Sequence, residues 1–412
     1  MTDTPTYRRT VLDNGVRIVT ENIPHVHSLA IGFWFTTGGR DEPDELAGIA
    51  HLLEHMNFKG TRRRSAGAIA REIEGRGGHL NAFTSKEATC YYARVIDEQL
   101  PRAIDVLADI TLNSVFRPAE VEREQGVILE EIKSLEDTPD ELVFDYFFQH
   151  LYGAHPLGRS VFGTRESLLG IDHRHLAKYR DEHYGGAQMV IAASGRLSHD
   201  RLVRMVARRL GNGAGIGNRR KPPEDRILSD LRLVVHADTQ QAHIVTGCRS
   251  LRFDDPRKYT LLVINAILGG GMSSRLFQHI RERRGLAYAV YSFLEAYQDT
   301  GVFGVYAGTE PRKAERTLRL IHKELRDIVR KPVSSRELRR VKDQLKGSLM
   351  LSLESPNSRM NRLARLEIYQ REWIPIEDVV AGIDAVTAKD IAALAGELFD
   401  RQPMFTTILC PN

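Results

Sequence analysis

The sequence predicts two homologous α+β domains joined by a polar linker, and three observations carry that prediction. The chain has 412 residues, enough for two cores of ordinary domain size. Its second half repeats the first, segment by segment. Between the repeats a glycine-rich run, 211–218, leads into Arg219, Arg220, Lys221, Pro222 and Pro223, the composition of a solvated linker. The expected boundaries are therefore 1–212, a linker at 213–226, and 227–412.

The repeat is read element by element. A strand pattern at 28–34 with a turn at 40–43 is echoed at 242–248 and 253–256. Residues 73–82 align without gaps on 280–289, and both copies enter strand-like stretches through glycine. Pro101 and Pro311 then open long helical patterns. Residues 48–59 read as a helix, and so does the stretch from 121 to 135, with its apolar Val127, Ile128, Ile132 and Leu135.

The helix at 48–59 contains His51, Glu54 and His55 in the spacing H-x-x-E-H, the inverse of the common zinc motif. Two histidines four apart share a helix face, with side-chain origins roughly 6 Å apart, so one ion is within reach of both. A catalytic zinc site takes three protein ligands and keeps a fourth position open. Glu54, near the same face but beside a ligand, suits a general base. The third donor is sought in the second helix, where Glu124 and Glu131 stand seven apart on one face. One of them suits ligation and the other the support of a ligand histidine. At the corresponding places the second half carries Asn265, Leu268, Gly269 and Ser348, which make no zinc site.

With Glu131 following 76 residues after His55, the chain resembles the pitrilysin/insulinase family of zinc metallopeptidases, in its mitochondrial-processing-peptidase-like branch. The resemblance implies His51, His55 and Glu131 as ligands of one zinc ion per chain, Glu54 as base and Glu124 as the supporting carboxylate. It makes the stretch containing Asn81, Ala82 and Phe83 an edge strand on which substrate backbone docks by strand addition. Arg281 and Tyr288, seven apart in the second half, match the arginine and tyrosine that grip a peptide carbonyl and stabilise the oxyanion. Glu141 and Asp145 match acids that receive a substrate arginine. The implied fold is two domains, each an antiparallel sheet packed with helices, in a clam-shell arrangement. The implied activity is endoproteolysis of unfolded peptides by a homodimer. The rival is a non-catalytic structural or partner subunit of a peptidase-like complex.

Charge agrees with a basic peptide substrate. Residues 120–145 hold ten acids against two bases, whereas 312–346 hold thirteen bases against five acids. Most of these residues form solvated helix faces, but acids bordering a cleft draw in cationic ligands. The basic stretch lacks interleaved aromatics or a nucleic-acid-binding motif, so no nucleic-acid partner is expected. The glycine-rich stretch 268–275 lacks a phosphate-loop lysine, which leaves it a turn or a substrate loop.

The 42% hydrophobic and 27% charged residues are those of a globular protein, and no apolar run reaches membrane-spanning length. Cys90, Cys248 and Cys410 are too scattered for a disulfide framework, and apolar neighbours around Cys90 and Cys410 predict buried thiols. The first nine residues show neither an apolar signal core nor an Arg/Ser-rich presequence, from which a cytoplasmic location is expected.

Overall fold

The computed structural model describes residues 6–210, 220–224 and 231–411. Its contacts divide the chain into two compact units. The first comprises Met1–Lys133, Arg159–Arg220 and Ser352–Trp373; the second comprises Ser134–Gly158, Lys221–Leu351 and Ile374–Asn412. Each unit thus contains one segment from the other half of the sequence.

Unit one is built on six strands, β1 (Thr6–Val11), β2 (Arg17–Asn22), β3 (Ser28–Phe35), β4 (His79–Thr84), β5 (Thr89–Ile96) and β6 (Met189–Gly195), in the order β1-β2-β6-β3-β5-β4. Unit two has β7 (Arg232–His236), β8 (Ala242–Ser250), β9 (Ala287–Ala296), β10 (Gly301–Thr309) and β11 (Phe405–Cys410), ordered β7-β11-β8-β10-β9. Setting β1 aside, the two orders are one topology: β2, β6, β3, β5 and β4 correspond to β7, β11, β8, β10 and β9. The duplication read in the sequence is therefore a duplication of fold. One correction applies to the expected antiparallel sheets. In each, one neighbouring pair is parallel, β2 with β6 and β7 with β11, and the chain between the members of each pair runs through three further strands and a long helical segment.

Strand β3 is buried almost throughout because its sheet is covered on both faces. Leu29, Ile31, Phe33 and Phe35 enter the main core with Leu52, Leu53, Met56 and Leu107, while the alternate residues Ala30 and Trp34 meet Met360 and Leu363. Those last two belong to the helix Pro356–Tyr369, from the second half of the sequence. Its counterpart in the repeat, the helix Pro139–Tyr152, lies in unit two, where Val143, Phe147 and Leu151 pack with Val245, Val302 and Leu409. Each such fully buried apolar side chain contributes about 1.5–3 kcal/mol. The two helices have equal length, and each carries proline in its first turn, where the missing N–H costs no hydrogen bond.

The helix Pro356–Tyr369 is also held by charge. Glu367 is 2% exposed; its carboxylate accepts from Arg9 Nε and Nη2 at 2.8 and 3.0 Å and lies 3.5 Å from Nη1 of the buried Arg17. Breaking a buried pair leaves an uncompensated charge, at a cost of about 3–5 kcal/mol. Glu367→Ala is expected to lower unfolding stability by that amount, read from the urea midpoint at constant slope.

Of the expected linker, residues 213–219, 225 and 226 lie outside the described residues. Arg220, within it, is not solvated. Its side chain is 6% exposed and donates to both oxygens of Asp41 at 2.8 and 2.7 Å and to the carbonyl of Glu87 at 2.7 Å. Cys90 and Cys248 are buried as core thiols, but Cys410 is half-exposed at the end of β11. Among the described residues no helix is long and apolar enough to cross a membrane.

Candidate metal centre

The helix Ile49–Asn57 buries Ile49, Ala50, Leu52, Leu53 and Met56, which leaves His51, Glu54 and His55 on its other side. Nine residues make a marginal helix alone, so packing and capping hold it. Gly48 precedes it at φ +94°, and a Cβ there would stand 2.5 Å from the Phe162 carbonyl oxygen. The carboxylate of Glu42 accepts the N–H groups of Gly48 and Ala50, each at 2.8 Å. Burial pushes the Glu42 carboxyl up to about 8, and the two N–H donors pull against that shift. The sequence reading did not single out Glu42. Its only signal was an acid shortly before a helix start, where acids are favoured.

The helix Pro118–Glu136 supplies the remaining carboxylates. Its buried face holds Val121, Glu124, Gln125 and Ile128. Two turns after Glu124, Glu131 approaches both histidines, with its Oε2 3.8 Å from His51 Nε2 and its Oε1 3.7 Å from His55 Nε2. One donor atom from each of the three residues lies within 4.8 Å of the others. These separations are too long for hydrogen bonds. Burial first, and the neighbouring His55 ring second, push the His51 imidazole down to about 3, so it is neutral at pH 7.

Four observations fit this donor set to a divalent metal. His51 is neutral, as a ligand must be. Glu131 Oε2 is shut from solvent without a hydrogen-bond partner among the described residues. The spacings are close to the about 3.3 Å that tetrahedral zinc with bonds of about 2.0–2.1 Å sets between its ligands. Finally, His55 Nδ1 lies 3.2 Å from Oε2 of the buried Glu124, whose Oε1 is 2.7 Å from Lys59 Nζ. That contact fixes the His55 ring and leaves Nε2 directed at Glu131. Loss of such an outer partner costs about 10–100-fold in metal affinity, and Glu124→Gln is expected to weaken zinc binding by that factor in a competition titration.

Glu54 is not among the converging donors. Its Oε2 accepts from Thr84 Oγ1 at 2.5 Å, and burial raises its carboxyl above the ordinary range. Thr84 ends β4, the outer strand of its sheet, with Asn81, Ala82 and Phe83 just before it. The N–H of Ala82 is taken by Asn81 Oδ1 at 2.8 Å, and Phe83 packs edge-on against Trp34 with ring centroids 5.3 Å apart.

The other residues singled out in the sequence lie in unit two. Arg281 sits on a π-helical turn, Phe277–Glu282, and Tyr288 on β9. The Arg281 guanidinium lies 4.9 Å from the Phe277 ring centroid and 5.2 Å from that of Tyr288, it pairs with no acid among the described residues, and Tyr288 is 78% exposed. Glu141 and Asp145 are one turn apart on the helix Pro139–Tyr152, and neither side chain forms an ion pair among the described residues. The places equivalent to the donors fall on the helices Lys258–Gly269 and Ser335–Ser352, where Asn265, Leu268, Gly269 and Ser348 stand.

A duplicated α+β chain that carries H-x-x-E-H in one copy alone has the donor pattern of the inverted zinc motif found in a class of zinc metallopeptidases. The sequence matches the description "Insulinase (Peptidase family M16)" over residues 17–165 and "Peptidase M16 inactive domain" over residues 170–345. It is 40% identical to an uncharacterized zinc protease of Streptomyces coelicolor, an alignment covering 98% of this chain and 89% of that protein. It is 41% identical to an uncharacterized zinc protease of Bacillus subtilis, over 95% of each chain. The crystal structure of a protease from Helicobacter pylori shares the fold with a TM-score of 0.90 at 22% identity, covering 99% of this chain and 100% of that one. This chain belongs to the insulinase family, peptidase family M16.

Proposed function

We propose that this protein is a zinc-dependent endopeptidase that hydrolyses unfolded, preferentially basic peptides. One observation carries the reading: donor atoms of His51, His55 and Glu131, from two helices, lie within 4.8 Å of one another beside the non-converging carboxylate of Glu54. One zinc ion held there supplies a Lewis acid for the scissile carbonyl and lowers the pKa of water.

The chain's own residues do the rest. Glu54 takes the proton of the attacking water and passes it to the leaving amine. Glu124 holds the His55 ring. The open edge of β4 receives the peptide as an added strand, whose main-chain hydrogen bonds need an extended and hence unfolded substrate. Arg281, packed against two rings, and the exposed Tyr288 serve a peptide carbonyl and the developing oxyanion. The resemblance to the family makes the active form a homodimer. A basic preference follows from the acidic stretch 120–145 and from the carboxylates of Glu141 and Asp145, which form no ion pair among the described residues.

The test is cleavage of a library of unstructured peptides by zinc-loaded protein, with and without chelator. Arginine-containing peptides should be cut first, and Glu141→Gln with Asp145→Asn should erase that order. Failure to cut any peptide would remove the peptidase reading, and equal cutting of acidic peptides would remove the basic preference alone.

A further inference from the structure

We infer that Thr84 is the positioning residue for Glu54, and that it ties the setting of the general base to the strand edge on which a peptide docks. The inference rests on the peptidase reading.

Among the described residues, Thr84 is the one hydrogen-bond partner of the Glu54 side chain. A glutamate on a helix has three side-chain torsions, and its neighbours Leu52, Leu53 and Met56 anchor the helix rather than the carboxylate. The contact is 2.5 Å, the length of a hydroxyl donating to a carboxylate, a bond about twice as strong as a neutral one. Threonine suits the task because its branched β-carbon restricts χ1 and so fixes the direction of the hydroxyl.

The backbone of Thr84 gives the second part. Every residue of β4 faces a partner on β5, and Ser85 just beyond the strand donates its N–H to the Ala88 carbonyl at 2.8 Å, which makes the odd-numbered residues the hydrogen-bonded ones of the alternating antiparallel ladder. Ala82, of the other parity, has its N–H bonded to the Asn81 side chain instead of to β5. Leu80, Ala82 and Thr84 therefore turn their main-chain groups to the open edge of the sheet. Thr84 belongs to the register that an added strand would engage, and its side chain ends on the base. Seating a peptide on β4 shifts or stiffens Thr84, and one hydrogen bond carries that change to Glu54. A small displacement of such a group is costly, because a misplacement of about 1 Å loses about 10²-fold in rate.

The experiment measures steady-state hydrolysis of a basic peptide by the zinc-loaded full chain, beside thermal midpoint and zinc content. Thr84→Val keeps the shape and removes the donor, so kcat should fall about 10- to 100-fold while KM, midpoint and zinc content hold. Thr84→Ser restores the donor and should recover most of kcat. In a Glu54→Gln background Thr84→Val should add no further loss, because the group it positions is already disabled. Wild-type kcat in Thr84→Val, a serine variant as impaired as the valine one, or a loss confined to KM would each overturn the inference. Should valine lower the midpoint, Thr84→Ala is read in its place by the same criteria. Wild-type protein that carries zinc and cuts no peptide fails the peptidase reading instead, whereas normal wild-type cleavage with an unaffected Thr84→Val fails this inference alone.

Discussion

Replacing Glu54 with glutamine is expected to reduce peptide hydrolysis by about 10²–10⁴-fold, the range supplied by a positioned general base. Zinc content should stay at the wild-type level, because the converging donors are His51, His55 and Glu131. Glutamine is close to glutamate in shape, and its carbonyl can accept the Thr84 hydroxyl, so the helix Ile49–Asn57 keeps its packing. What the amide lacks is the capacity to take a proton from water. The loss should therefore fall on kcat, with KM little changed. Cleavage at the wild-type rate by this variant would rule out the assigned base.

Glu131→Ala should act at the earlier step of metal binding. Removing one of three donors is expected to weaken zinc binding by more than the about 10–100-fold that an outer partner such as Glu124 costs. Zinc at a hundred times its dissociation constant stabilises a protein by about 2.7 kcal/mol. The wild-type melting temperature should thus rise on zinc addition, and that of Glu131→Ala should not. Fluorescence melts with and without zinc check the result, and an equal zinc-induced shift in both proteins would exclude Glu131 as a donor.

The duplication and the shared helix face of His51 and His55 were legible in the sequence, whereas spacing alone left Glu124 and Glu131 as equal candidates and the family resemblance chose Glu131. Histidines four apart stay neighbours on any helix, and Glu124 and Glu131 remain on one face of theirs. The exchange of helices between units was not legible. The apolar stripes of Val143, Phe147 and Leu151, and of Met360 and Leu363, announce that each helix covers a sheet but do not say which one. The parallel pairing of β2 with β6 escaped for a related reason: strands buried on both faces show no alternation from which a partner is read.

Glu42, Arg220 and Thr84 show a third limit. Glu42 looked like a turn acid, and its place at two helix N–H groups depends on how the segment from 42 to 48 folds back. Arg220 has the composition of a solvated linker, yet Asp41 and Glu87, far away in sequence, bury it. Thr84 is an ordinary strand residue until the helix Ile49–Asn57 is laid beside β4 and brings Glu54 to its hydroxyl. Local pattern reveals which donors share a face, whereas the supporting groups appear only with the tertiary fold.

Whether this chain is a zinc peptidase is decided by titrating metal-free protein with zinc while following peptide cleavage and bound metal together. The expected result is no cleavage without zinc, a rise in activity that tracks occupancy and levels at one equivalent per chain, and in Glu54→Gln the same binding curve with activity lower by about 10²–10⁴-fold. Undiminished cleavage by the metal-free chain would contradict it.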